Sequence, residues 1–293
     1  MRRQTRRSCR PSPEHPTRAI LGLSGIDRQG PSVSRETERA ASNLERLYSS
    51  GALSRTSADL LGQERTKHAI AQGLGSASTK REVLLVAILV DDSTSIAINL
   101  DEIHFGYGQM LDALRAESVN TDVQVHVRAL NRGVLAPYTP IAHLGALTSL
   151  GYDESRLAPQ TPLFLQTLLT LGTVAAKAQE EETRGASVRT FTLIISDAGD
   201  NASRDVTAGQ VRVVVTDMLQ FATNHIVAGM GVGELVNFYD VFGAMGIPRS
   251  WIFSAGASVD ALRDMFRVIK KSLTLAAESE VAFLQLEAGP PRD

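Results

Sequence analysis

Two hydrophobic periods alternate along the chain. Apolar runs bounded by turn residues predict strands at 83–91, 123–130, 189–196, 225–231 and 250–255. The stretch 133–139 predicts a shorter edge strand, because Pro137 has no N–H for a central ladder. Between these runs, apolar positions three and four apart predict helices at 100–117, 141–150, 162–181, 207–223, 235–245 and 257–277. The alternation argues for an α/β domain over 80–280, with a doubly wound, mainly parallel sheet covered by helices on both faces. Ahead of it, Leu44, Leu47 and Tyr48 share one helical face, and Leu60, Leu61, Ala69 and Ile70 mark a second helix beyond the break at Ser49, Ser50 and Gly51. A helical hairpin therefore leads in over 35–79. Residues 1–34 are rich in Arg, Pro, Ser and Gly, which predicts a disordered arm. Residues 281–293 close the chain as a short tail.

Composition narrows the class. The 43% hydrophobic and 21% charged content is that of an ordinary globular protein. The net charge of −2 hides an uneven distribution: residues 1–18 hold six arginines against one glutamate. No aromatic residues interleave with those arginines, so stacking on nucleic acid is not expected. The apolar stretch at 19–26 is short, broken by Gly and followed by Asp27 and Arg28, unlike the core of an export signal. No run reaches the 18 or so apolar residues of a membrane helix. The single Cys9 has no internal disulfide partner, which fits a reducing compartment, and the cytoplasm is the expected location.

The candidate chemistry sits where the first strand stops. Val86–Val90 ends on Asp91, and Asp91, Ser93 and Ser95 follow at alternate positions. In an extended segment that spacing aims three hard oxygens one way. Such donors without His or Cys suit Mg²⁺, Mn²⁺ or Ca²⁺; a polar turn after a strand would use the same residues. Asp91 stands at the strand's end, so its removal is expected to leave the fold intact. Thr161 precedes Pro162 at the start of an apolar helix and reads in isolation as an N-cap. A second apolar strand, at 190–196, ends on Asp197, followed by a polar turn of Asp200, Asn201, Ser203 and Asp205 read as a solvated loop.

Asp91-x-Ser93-x-Ser95, Thr161 some 66 residues on, and Asp197 a further 36 on together resemble the metal-ion-dependent adhesion site of von Willebrand factor A domains. The resemblance covers roughly residues 80–275. Asp92 adds an acid to the first motif, and Ala198 stands where that family usually has Gly. The resemblance implies that Ser93, Ser95 and, in one state, Thr161 hold a cation directly, with Asp91 and Asp197 acting largely through waters. It further implies protein binding without catalysis, a partner carboxylate completing the cation's shell. An AAA-type ATPase or a multi-component assembly would be such a partner, as for intracellular bacterial members of the family.

Other candidates carry less. The glycines of 229–233 lack dinucleotide-loop spacing and read as small residues where a strand nears the site. The six histidines show no paired ligand spacing, which argues against zinc. Ser93 has no nucleophile-elbow context. A phosphatase using Asp91 would want a carboxylate at 93, where Ser stands. A metal-dependent hydrolase and a metal-free scaffold remain the alternatives to a binding module.

Overall fold

A computed structural model describes residues 31–118, 121–221, 224–255 and 258–291. The Arg-rich head and Cys9 lie outside the described residues. Six strands form one sheet: β1 (Glu82–Val90), β2 (Asp122–Ala129), β3 (Gly133–Pro140), β4 (Ser187–Ser196), β5 (His225–Val232) and β6 (Ile252–Ala255). Nine α-helices accompany them among the described residues: α1 (Pro31–Ser49), α2 (Arg55–Leu61), α3 (Glu64–Ala71), α4 (Leu100–Glu117), α5 (Leu163–Thr183), α6 (Ala208–Phe221), α7 (Phe238–Ala244), α8 (Val259–Glu278) and α9 (Glu280–Gln285).

The strand order is β3-β2-β1-β4-β5-β6, parallel throughout except for the antiparallel edge strand β3. β1 lies in the middle, and every residue from Val83 to Val90 is fully buried. That explains its continuous apolar run: both faces are covered, so no position alternates to solvent. From β1 the chain winds outward through α4 to β2, and from β4 it winds the opposite way through α6 to β5. Right-handed crossovers running in opposite directions place their helices on opposite faces. α8 packs on α4, and α5 lies on β1 and β4 beside α6, with α1 and α3 packed outside it. No helix among the described residues is long and apolar enough to cross a membrane.

The lead-in differs from a hairpin. Three helices occupy it, α1 ending before Gly51 at φ 81° and α2 stopping at Gly62. The helix expected at 141–150 is absent. Two 3₁₀ turns, Ile141–His143 and Leu147–Leu150, stand there, between Pro140 and a left-handed Gly151 at φ 78°. The apolar spacing is real, since Ile141, Leu144 and Leu147 are all buried, but it serves turns pressed against the domain. The glycines of β5 also have another purpose. A Cβ at Gly231 would come within 2.0 Å of the Phe238 ring, and one at Gly229 within 2.6 Å of Phe242. They admit the stacked rings of α7 (centroids 5.8 Å apart) rather than clearing space at the site.

Candidate metal centre

Between β1 and β4 the winding reverses direction. Open α/β sheets bind ligands in the crevice at the carboxyl ends of the strands flanking such a reversal. The register pairs Val90 with Ile195, and the Asp91 N–H continues the ladder to the Ile195 carbonyl at 3.0 Å. Two chain segments thus leave the sheet side by side, one into Asp91 and the other into Asp197.

Local hydrogen bonds set the next residues. Asp91 Oδ1 accepts the Ser93 N–H at 2.8 Å, a side-chain-to-backbone turn that folds the chain back over the strand end. Asp91 Oδ2 accepts the Ser196 hydroxyl at 2.5 Å, tying the motif to β4. Ser93 and Ser95 lie with their Oγ atoms 3.0 Å apart. Both reach Asp197 Oδ1, at 3.4 and 3.0 Å. Asp91, Ser93 and Asp197 are buried while Ser95 is exposed, so the cluster opens to solvent through Ser95.

Thr161 is buried and held from the Asp197 side. Its N–H donates to Asn201 Oδ1 at 2.7 Å, and the Asn201 N–H returns a bond to the Thr161 carbonyl at 3.1 Å. It does not cap α5. Asp200 Oδ1 accepts the Phe164 N–H at 3.0 Å, and Ser203 Oγ accepts the Leu165 N–H at 2.9 Å. The polar turn after Asp197 is therefore a helix cap supplied from another part of the chain rather than a solvated loop. It leaves the Thr161 hydroxyl free of the capping role.

The sequence reading noted Asp92 without its partners, and it missed Asn131, Arg132, Tyr152 and Ala158. Asp92 is fully buried and accepts the Asn131 N–H at 2.7 Å, the Asn131 side-chain amide at 3.0 Å and Arg132 Nε at 3.1 Å. It ties the β2–β3 turn to the site. Its carbonyl takes the Ala158 N–H at 2.9 Å, and Thr94 N–H bonds the Ala158 carbonyl at 2.8 Å, fastening the segment that leads to Thr161. The Tyr152 hydroxyl donates to the Asp91 carbonyl.

The electrostatics are unbalanced. Burial raises the Asp91 carboxyl above its usual range, against the hydrogen bonds from Ser196 and Ser93, and the Asp92 charge adds to the rise. Asp197 is pushed up to about 6, first by burial and then by the Asp91 charge. Arg132 pairs with Asp92; among the described residues no cation pairs with Asp91 or Asp197. Among those residues no group of three or more His, Cys, Asp or Glu is placed to hold a metal ion by itself. Two carboxylates sharing a crevice with two hydroxyls form a hard oxygen set, which fits Mg²⁺ or Mn²⁺ and does not fit zinc.

No protein-family model and no curated protein matches the chain. Solved structures do. The SpRpn10 VWA domain is 12% identical with a TM-score of 0.45, over 62% of this chain and 92% of that one. A von Willebrand factor type A structure from Catenulispora acidiphila is 13% identical at 0.43, over 69% and 48%. The pilus adhesin SpaC from Lactobacillus rhamnosus GG, in its open conformation, is 11% identical at 0.48, over 69% and 31%. The chain spans about half or less of the mussel byssus matrix protein and SpaC chains it also matches. Likenesses this distant carry no argument about the site, which stands on its own geometry.

Proposed function

We propose that this chain is a protein-binding module in which Asp91, Ser93, Ser95, Thr161 and Asp197 hold a divalent cation, Mg²⁺ or else Mn²⁺ or Ca²⁺. One observation supports it above the rest: two buried carboxylates at the reversal point of the sheet, joined through Ser93 with Ser95 on Asp197, and no cation paired with either among the described residues. A bound cation would supply a Lewis-acid contact for a carboxylate on a partner protein. The chain's own residues do the remaining work. Asp91 fixes the turn that aims Ser93, Asn201 holds Thr161 in place, and exposed Ser95 marks the open side. Among the described residues the cluster's hydrogen bonds come from hydroxyls and backbone N–H groups, and none comes from a His or Lys. That favours binding over hydrolysis. By the sequence resemblance, the partner is a protein such as an AAA-type ATPase or a subunit of a larger assembly, met in the cytoplasm.

Calorimetric titration of the full chain with Mn²⁺ tests the reading. Wild type should bind, while Asp197→Asn and Ser95→Ala should each weaken binding about tenfold or more with an unchanged circular dichroism spectrum. Equal affinity in all three would end it.

A further inference from the structure

A cavity of about 460 Å³ opens between the lead-in helices and the α/β domain. It lies at the end of the sheet opposite the oxygen cluster: His225, in its lining, opens β5, whereas Asp197 follows the last residue of the parallel strand β4. Volumes of that order hold small ligands. The apolar walls are Leu47 of α1, Leu53, Ala175 and Ala178 of α5, and Met218 of α6. These walls are tied together. Asp217 Oδ2 accepts the Ser54 N–H at 2.8 Å and the Ser54 and Ser57 hydroxyls at 2.6 and 2.5 Å, clasping the chain after Gly51 onto α6.

Two polar groups in the lining await an occupant. The Glu182 carboxylate makes no hydrogen bond or ion pair among the described residues, and desolvation raises it above the usual carboxylate range. His225 Nδ1 is taken by the Thr190 hydroxyl, which leaves Nε2 as the ring's remaining polar atom. Burial lowers the pKa of His225 to about 4, so the ring is neutral at pH 7 and offers a hydrogen bond without charge. The charges nearby are engaged elsewhere. Glu181 holds Lys177 at 2.5 Å, and Glu180 holds Arg39 at 2.7 Å. Arg184 lies 3.9 Å from Glu181, and Arg46 bonds Thr183 Oγ1 at 3.2 Å. Glu182 therefore lacks a cation. A neutral occupant would strip water from it without compensation, and an acidic one would add repulsion.

We propose that this cavity binds a small amphipathic amine, its apolar body between α1, α5 and α6 and its ammonium on Glu182. The site is separate from the metal centre and does not depend on it.

Calorimetry of the full chain with tryptamine, indole-3-ethanol and indole-3-acetate tests it, since the three share an apolar body and differ in charge. Tryptamine should bind about tenfold or more tightly than the alcohol, and the acid should bind most weakly. Glu182→Gln should bring tryptamine down to the level of the alcohol and leave the alcohol unchanged. Ala52→Phe, which places a ring in the cavity from its lining, should weaken both about tenfold or more. Thermal melting and Mn²⁺ titration of both variants should match wild type. Equal affinity for amine and alcohol overturns the proposal, as does tryptamine binding that neither variant weakens. Failure of tryptamine, phenethylamine and hexylamine alike to bind at about 1 mM overturns it too.

Discussion

Asp91 and Asp197 look alike in sequence and differ in what they do for the fold. Asp91 accepts from both Ser93 N–H and the Ser196 hydroxyl in a fully buried place. Asp91→Ala would strand both donors, each costing about 1–3 kcal/mol. Contrary to the expectation from its place at a strand end, the variant should unfold at markedly lower urea. Asp197 is the opposite case: its carboxyl is pushed up to about 6, so its charge is a burden at neutral pH. Asp197→Asn should raise metal-free stability by about 1–2 kcal/mol in the same assay while losing Mn²⁺. A residue that weakens the fold and is kept for its oxygen has the stability–function conflict expected of a site. These two acids and the serines were legible because each motif is local. The contacts of Asp92, Asn201 and Tyr152 were not, since their partners lie 39, 40 and 61 residues away.

Among the elements, α5 and β5 show why periodicity alone misassigns causes. Thr161 next to Pro162 has the sequence of a cap, yet the cap comes from Asp200 and Ser203, 36 and 38 residues downstream of the N–H groups they satisfy. Asp200→Ala should therefore cost about 1 kcal/mol. Thr161→Val, which keeps the volume, should shift stability by no more than about 0.5 kcal/mol and yet weaken Mn²⁺ binding. Denaturant midpoints for the two variants separate the roles. The glycines of β5 read in sequence as small residues where a strand nears the site, and only the packed rings of α7 explain them. Gly231→Ala forces Phe238 to move and should cost about 1–3 kcal/mol in the same assay. β1 and β5 were legible because burial on both faces writes itself as a continuous apolar run. The 141–150 segment was not, because buried 3₁₀ turns space their apolar residues much as a helix does.

Across the whole molecule, acid stability follows from two histidines. His126 is wholly buried and His225 half-buried, and their pKa values are lowered to about 3 and about 4, chiefly by burial. Below the unfolded value near 6.5 the unfolded chain binds protons that the native state refuses, so stability falls as pH drops. Each contributes a slope of up to about 1.4 kcal/mol per pH unit. Asp197 acts the other way below about 6, where the native state takes up a proton first. Unfolding free energy should therefore fall below pH 6.5 with a net slope of about one proton, two from the histidines less one from Asp197. Urea titrations at half-unit steps would measure that slope, and Asp197→Asn should steepen it toward two.

The central position of β1 also has a consequence during synthesis. Its first neighbour, β2, follows within about 40 residues, but Val90 waits for Ile195 to fill its other edge. At about 5–20 residues per second, some 100 residues take roughly 5–20 s to emerge. For that interval the half-made chain offers Val83–Val90 as an unpaired, wholly apolar strand edge, the kind that invites association with other chains. The ribosome-bound fragment ending near residue 180 is thus the species that most needs a chaperone, and closure of the β1–β4 seam, which also assembles the oxygen cluster, is what releases it.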